Sequence, residues 1–167
     1  MTLTAAMQEA YAANPGGEIV IETLELDHVT FEAPVRIAAN VEDDISLPLT
    51  TGGPTVAFKA LAVSVTLPGV SEDGPTPMRI RIDNVSGYLL PYLRAAIQST
   101  APIGVIYRAY TSIDLSAPGD VIDGLQLRSV DLTATSAEGA VGFREIEMEA
   151  FPRRTYDQTF YPALSNL

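Results

Sequence analysis

A chain of 167 residues, 47% apolar and 19% charged, fits one domain with a substantial core and lies far from disordered compositions. One lysine and nine arginines stand against twenty-one acids, and the formal charge of −11 argues against sequence-specific or general nucleic-acid binding. The absence of cysteine excludes disulfide frameworks, thiolate nucleophiles and cysteine zinc sites, and no apolar run approaches the roughly 18 residues of a membrane span.

The start, "MTLTAAMQEAYAANPGGE", lacks the basic and apolar regions of a secretory leader, so none is expected and synthesis in a host cytoplasm fits. Thr4 to Ala13 are helix formers behind a capping threonine and stop at "NPGG", which predicts a short helix. "EIVIETLELDHVTF" reads as a strand whose alternation changes parity between Ile21 and Leu24, the mark of a bulge. "PVRIAAN" is a second strand, and "VEDDISLPLTTGGP" a turn-rich connection. "TVAFKALAVSVTLP" predicts one long strand bent near Ala60.

"GVSEDGPTP" has loop composition, and "PMRIRIDNV" gives the cleanest strand pattern. Met78, Ile80 and Ile82 share one face; Arg79, Arg81 and Asp83 share the other. In "YLLPYLRAAIQS", Leu89, Leu93 and Ile97 recur at helical spacing, with Ser86 or Gly87 at the cap. Pro91 is tolerated only in a first turn, which starts the helix near Leu90. "IGVIYRAYTSIDL" alternates through Val105, Tyr107, Ala109 and Ile113. "GLQLRSVDLTATSA" and "AVGFREIEMEAF" form two more strands with a hairpin at "AEG". The expected fold is mainly β, a sandwich or barrel-like domain of about seven strands with an N-terminal helix and one inserted helix. It spans residues 1–150, and residues 151–167 form an extended C-terminal arm.

Catalytic chemistry is sparse. His28 could act as a base with Asp27 or Glu32, but adjacent strand residues face opposite ways, which favours a turn or interface histidine. "VEDDIS" and "SEDGP" lack the calcium-loop spacing, and "TTGGP" and "APGD" lack the lysine or spaced glycines of a phosphate loop. Glu145, Glu147 and Glu149 alternate at carboxylate-pair distance, yet an outward acidic stripe accounts for them more simply. No catalytic residue, cofactor or metal is assigned, and the chain is read as not an enzyme.

What remains is the placement of arginines and aromatics. Arg79 and Arg81 have two readings: an exposed sheet face with cross-strand glutamates, or an intersubunit contact. "FPRRTYDQTFYPAL" gathers Phe151, Arg153, Arg154, Tyr156, Phe160 and Tyr161 between Pro152 and Pro162, which deny it a regular helix or central strand. So many large side chains are best placed against a partner.

The order "LELDHVTFEAPVRIAAN", "TVAFKALAVSVTLP", "PMRIRIDNVSGYLLPYLRAAIQS", "GLQLRSVDLTATSAEGAVGF", "EAFPRRTYDQTFYPAL" resembles, over nearly the whole chain, a family of short phage and prophage proteins of unknown function encoded among siphophage tail genes. "RIDNVS" and the terminal "FP…FYPAL" are its most specific parts; Tyr161 and Ala163 depart from the commoner Phe-Pro-Gly-Leu ending. The resemblance implies a structural subunit at the virion tail tip, similar to a distal tail protein. Its partners would be other copies in a sixfold ring, the tail tube protein, and the baseplate hub and tape-measure proteins. It carries over no catalytic residue. The competing expectations are another tail subunit, for completion or tube building, and a carbohydrate-binding sandwich using Tyr107, Tyr110 and Tyr156. A cell-wall hydrolase is the remaining possibility.

Overall fold

The computed structural model describes residues 3–13, 19–71, 74–83, 87–133 and 135–143. Helix α1 (Ala5–Ala13) is followed by strands β1 (Val20–Asp27), β2 (Val35–Ala38), β3 (Ile45–Pro48), β4 (Thr55–Ala60) and β5 (Val63–Thr66). Next come a small ribbon of β6 (Gly69–Ser71) and β7 (Gly74–Thr76), then β8 (Met78–Asp83) and helix α2 (Leu90–Ile97). β9 (Ile103–Thr111), β10 (Asp120–Leu132) and β11 (Ser136–Phe143) complete the described chain.

Nine strands form one mixed sheet in the order β3-β4-β2-β1-β9-β10-β11-β8-β5. β4 and β5 are two pieces of one bent strand, and the bend at Leu61–Ala62 bonds to both sides. The Leu61 amide donates to the Ala38 carbonyl of β2 at 3.1 Å, and the Asp83 amide of β8 donates to the Ala62 carbonyl at 2.9 Å. The sheet thereby closes on itself into a barrel, with the bent strand as one stave and β2, β1, β9, β10, β11 and β8 as the others. Closure removes most exposed edges.

Alternation explains the interior. Leu24 and Leu26 on β1, Val105 and Tyr107 on β9, and Met78, Ile80 and Ile82 on β8 pack into one core with Leu125 and Val141. Helix α1 covers the end where β10 begins: Met7 is fully buried, and the Thr4 amide donates to the Gly119 carbonyl at 2.9 Å. A side chain at Gly119 would run into Met7, so glycine lets the helix close down. Helix α2, between β8 and β9, contributes Leu93 and Ala96 to the same core, and Leu89 just before it adds a third side chain.

A second core lies on the outer face, where Ile21, Ala38 and Tyr110 pack against Leu47 and Phe58 of the β3–β4 hairpin. This corrects the bulge expected in β1, whose register with β2 and β9 runs unbroken. Ile21 and Leu24 are both buried because they serve different cores. A bulge does occur in β10, between Ile122 and Leu125, with Gly124 at φ +70°.

Other expectations are also corrected. β3 lies inside the stretch read as a connection, and the β6–β7 ribbon inside the stretch read as a loop. The last hairpin turns between Leu132 and Ser136, and "AEG" lies within β11. The α2 N-cap is Leu89, Pro91 falls in the first turn as expected, and Ile97 is 75% exposed rather than in the core. Ile113 lies past the end of β9 and is also exposed.

Candidate interaction surface

Arg79 and Arg81 project from the outer face of β8, as alternation requires, opposite Ala140 and Glu138 of β11. Arg81 pairs with Glu138 at 3.1 Å and approaches Asp83 at 3.9 Å. All three side chains are more than half exposed, so water and salt weaken these pairs. On the other side, Ser64 and Thr66 of β5 lie beside Arg81 and Arg79. The cross-strand glutamate beside Arg81 is Glu138 rather than one of the "REIEME" glutamates expected there. Phe151, Arg153, Arg154, Tyr156, Phe160 and Tyr161 lie outside the described residues, as do Glu145, Glu147 and Glu149.

Two depressions mark the surface, one of them beside Arg81. A cleft of about 600 Å³ opens at the seam, where Asn40–Glu42 diverge from the edge of β5, with Arg81 and Asp83 on its wall. A more apolar groove of about 300 Å³ runs between α2 and the second half of β10. There β10 extends beyond β9: its last pair with β9 is Leu127 with Ile103, while Ser129 to Leu132 still pair with β11.

The interior holds a polar cluster that the sequence reading missed. Glu22 and Asp120 flank Ala109 from the two neighbouring strands, both on the core face. The Tyr107 hydroxyl donates to Glu22 Oε1 at 3.1 Å, and Tyr11 of α1 approaches the same phenol. Burial raises the Tyr107 and Glu22 pKa values, although the hydrogen bond itself favours ionised Glu22. Asp120 has 0% exposure and, among the described residues, neither carboxylate oxygen makes a full hydrogen bond; the Val121 amide favours the ionised form, but burial outweighs it and raises the pKa. Acids at core-parity positions, Glu22 beside Leu24 and Asp120 beside Ile122, were the available signal. The cluster can retain protons and orient Tyr107, but the Asp120 carboxylate has no access to solvent.

On the outer face Glu25 bridges two arginines. Its Oε2 accepts from Arg36 Nε and from Arg108 Nη1, each at 3.1 Å. The Glu25–Arg108 pair is largely buried, which makes it a fixed element of the wall.

His28 is a turn histidine. Its Nδ1 accepts from the Thr30 amide at 3.2 Å, and this leaves Nε2–H to donate to the Ala101 carbonyl at 3.0 Å. Its ring packs on Phe31, which in turn meets Tyr92 of α2 edge-on. Asp44 of "VEDDIS" is also structural. It accepts from the Ala60 amide at 2.9 Å and from Lys59 at 3.1 Å, and these contacts hold its pKa below the usual aspartate value. Tyr107 and Tyr110 are both fully buried, which corrects their proposed use as a sugar platform; Tyr156 lies outside the described residues. Among the described residues no cluster of three or more metal-ligating side chains occurs, and no helix is long and apolar enough to cross a membrane.

No protein with a curated description matches the chain. A family model described as a domain of unknown function, DUF1833, matches residues 6–156, nearly the whole sequence. The chain belongs to the DUF1833 family.

Proposed function

We propose that the protein is a structural subunit of a long non-contractile phage tail, one of a ring of six copies at the tail tip that joins the tail tube to the baseplate hub. The observation that carries this reading is the sheet order. It begins at β3, which lies outside the closed barrel and whose outer edge has no strand partner among the described residues. An edge of this kind suits a heterologous contact with a different surface of the next copy, and repetition of such a contact about an axis closes a ring.

The charge distribution supports the same role. Asp43, Asp44, Asp83, Asp123, Asp131 and Glu138 are exposed, so a ring would multiply an acidic surface past which DNA can move without sticking. Arg79 and Arg81, neighbours on one exposed sheet face, could meet an acidic neighbour. The ring would contact the tube, hub and tape-measure proteins, with residues 151–167 as its arm. Quantitative mass spectrometry of purified virions tests this: several copies per particle are expected, and absence from the particle, or one copy, overturns it.

A further inference from the structure

Helix α1 closes the barrel end over carboxyl groups. Glu22 on β1 and Asp120 on β10 face the interior on either side of Ala109, the small β9 residue between them. Asp120 is fully buried, and among the described residues neither carboxylate oxygen makes a full hydrogen bond. Two phenols face the pair, Tyr107 of β9 and Tyr11 of α1. Glu9, the other titratable group of α1, is exposed, and the helix brings no basic residue. The Val121 amide and the positive charge of the amino terminus favour ionised Asp120, but burial outweighs both.

A carboxylate formed in this chamber needs water. The walls are β1, β9 and β10, whose paired backbones would have to part to admit it. The cover is α1, held by buried Met7, by the bond from the Thr4 amide to the Gly119 carbonyl at 2.9 Å, and by Tyr11 against Tyr107. The bonds that close the barrel, Leu61 to Ala38 and Asp83 to Ala62, do not involve this helix. With nine residues, α1 is also shorter than the roughly 12–15 at which an isolated helix begins to hold, so once lifted it unwinds. Moving α1 is the least costly way to let water in.

We infer that α1 is a lid that lifts from the barrel end as pH rises, driven by the charge that Asp120 and Glu22 acquire beneath it. The lid operates whether or not the protein is a tail subunit. Under the closed helix both carboxyls hold their protons to higher pH than they would in water. Closure is therefore fully favoured below the ordinary carboxyl values of about 4 and is lost as pH rises through the raised ones. While one carboxyl titrates, the open fraction grows by up to about tenfold per pH unit.

Hydrogen exchange of the full-length protein, followed by mass spectrometry over a pH series and corrected for the intrinsic rate, tests this. The amides from Gln8 to Ala13 are expected to lose protection as pH rises, while those of β9 keep theirs. Asp120→Asn has no charge to form there and flattens most of the dependence; Glu22→Gln gives the same reading through the other carboxyl if the first variant does not fold. Because the chain has no cysteine, Met7→Cys supplies a single buried thiol as a second probe. Its labelling rate, corrected for thiolate fraction, is expected to rise with pH by the same factor. The inference is overturned by α1 protection that is absent at every pH, constant across the series, or lost together with that of β9. An undiminished pH dependence in the carboxyl variants overturns it equally.

Discussion

The Tyr107 hydroxyl reaches across from β9 to Glu22 Oε1 on β1, a hydrogen bond of 3.1 Å inside the barrel. Tyr107 is fully buried and burial strengthens its hold on the proton, so it remains the donor. Tyr107→Phe removes the donor while leaving the acceptor, which costs about 1–3 kcal/mol at neutral pH. The cost shrinks in acid, where Glu22 takes up a proton at a higher pH than an ordinary glutamate. Urea denaturation of both proteins near neutrality and in acid measures it; an unchanged neutral-pH stability counts against this role.

Asp120 gives a pH dependence of defined sign. Burial raises its folded pKa, so the folded chain holds the proton to higher pH than the unfolded chain. Its contribution is fully present below the ordinary aspartate value of about 3.9 and is lost as pH rises through the raised value. Asp120→Asn stays neutral and lacks that loss. The stability of the variant relative to wild type is expected to increase as pH rises above the ordinary aspartate value of about 3.9. Parallel stability curves above that value would contradict the assignment.

Glu25 holds Arg36 and Arg108 together through one oxygen. Glu25→Gln leaves the nearly buried Arg108 without its counter-charge, an expected loss of about 3 kcal/mol. Thermal melts with chemical denaturation check this. A change below about 1 kcal/mol, as surface pairs give, would mean that the pair is solvated.

Arg79 and Arg81 separate assembly from stability. Their exposed positions predict that Arg79→Ala with Arg81→Ala shifts stability by less than about 1 kcal/mol. On the proposed role the same double variant is incorporated poorly into tails. Full incorporation in a complementation assay would mean that neither arginine is needed for assembly.

Much of the barrel was legible because its staves alternate. "PMRIRID" declared β8 and its faces, and the bend near Ala60 in "TVAFKALAVSVT" is the place where the barrel closes. Legibility failed where both faces are buried. Ile21, Thr23, Leu24, Glu25 and Leu26 of β1 are all covered, so two cores looked like one broken period. β3 was hidden because "ISLP" is short and ends in proline. The interior carboxylates were hidden because only pairing places Glu22 and Asp120 on either side of Ala109. For the surface, the exposure of Arg79 and Arg81 was readable from alternation; the α2–β10 groove was not, since it depends on how far β10 outruns β9.

Deletion of residues 152–167 tests the arm. The described barrel closes through contacts made before Phe143, so the shortened protein is expected to stay soluble and folded by circular dichroism, yet fail to enter tails. Unfolding of the isolated truncated domain would mean that the arm packs on its own core. Infectious particles built from it would mean that the arm is dispensable.

A ring of copies at the tail tip would be visible by cryo-electron microscopy of intact virions, with the tail tip reconstructed without imposed symmetry. A sixfold ring between tube and hub, into which the β1–β11 barrel fits and whose inner wall is acidic, is expected. A single copy at the tip, a ring with a basic channel, or no density that accepts the barrel would contradict it.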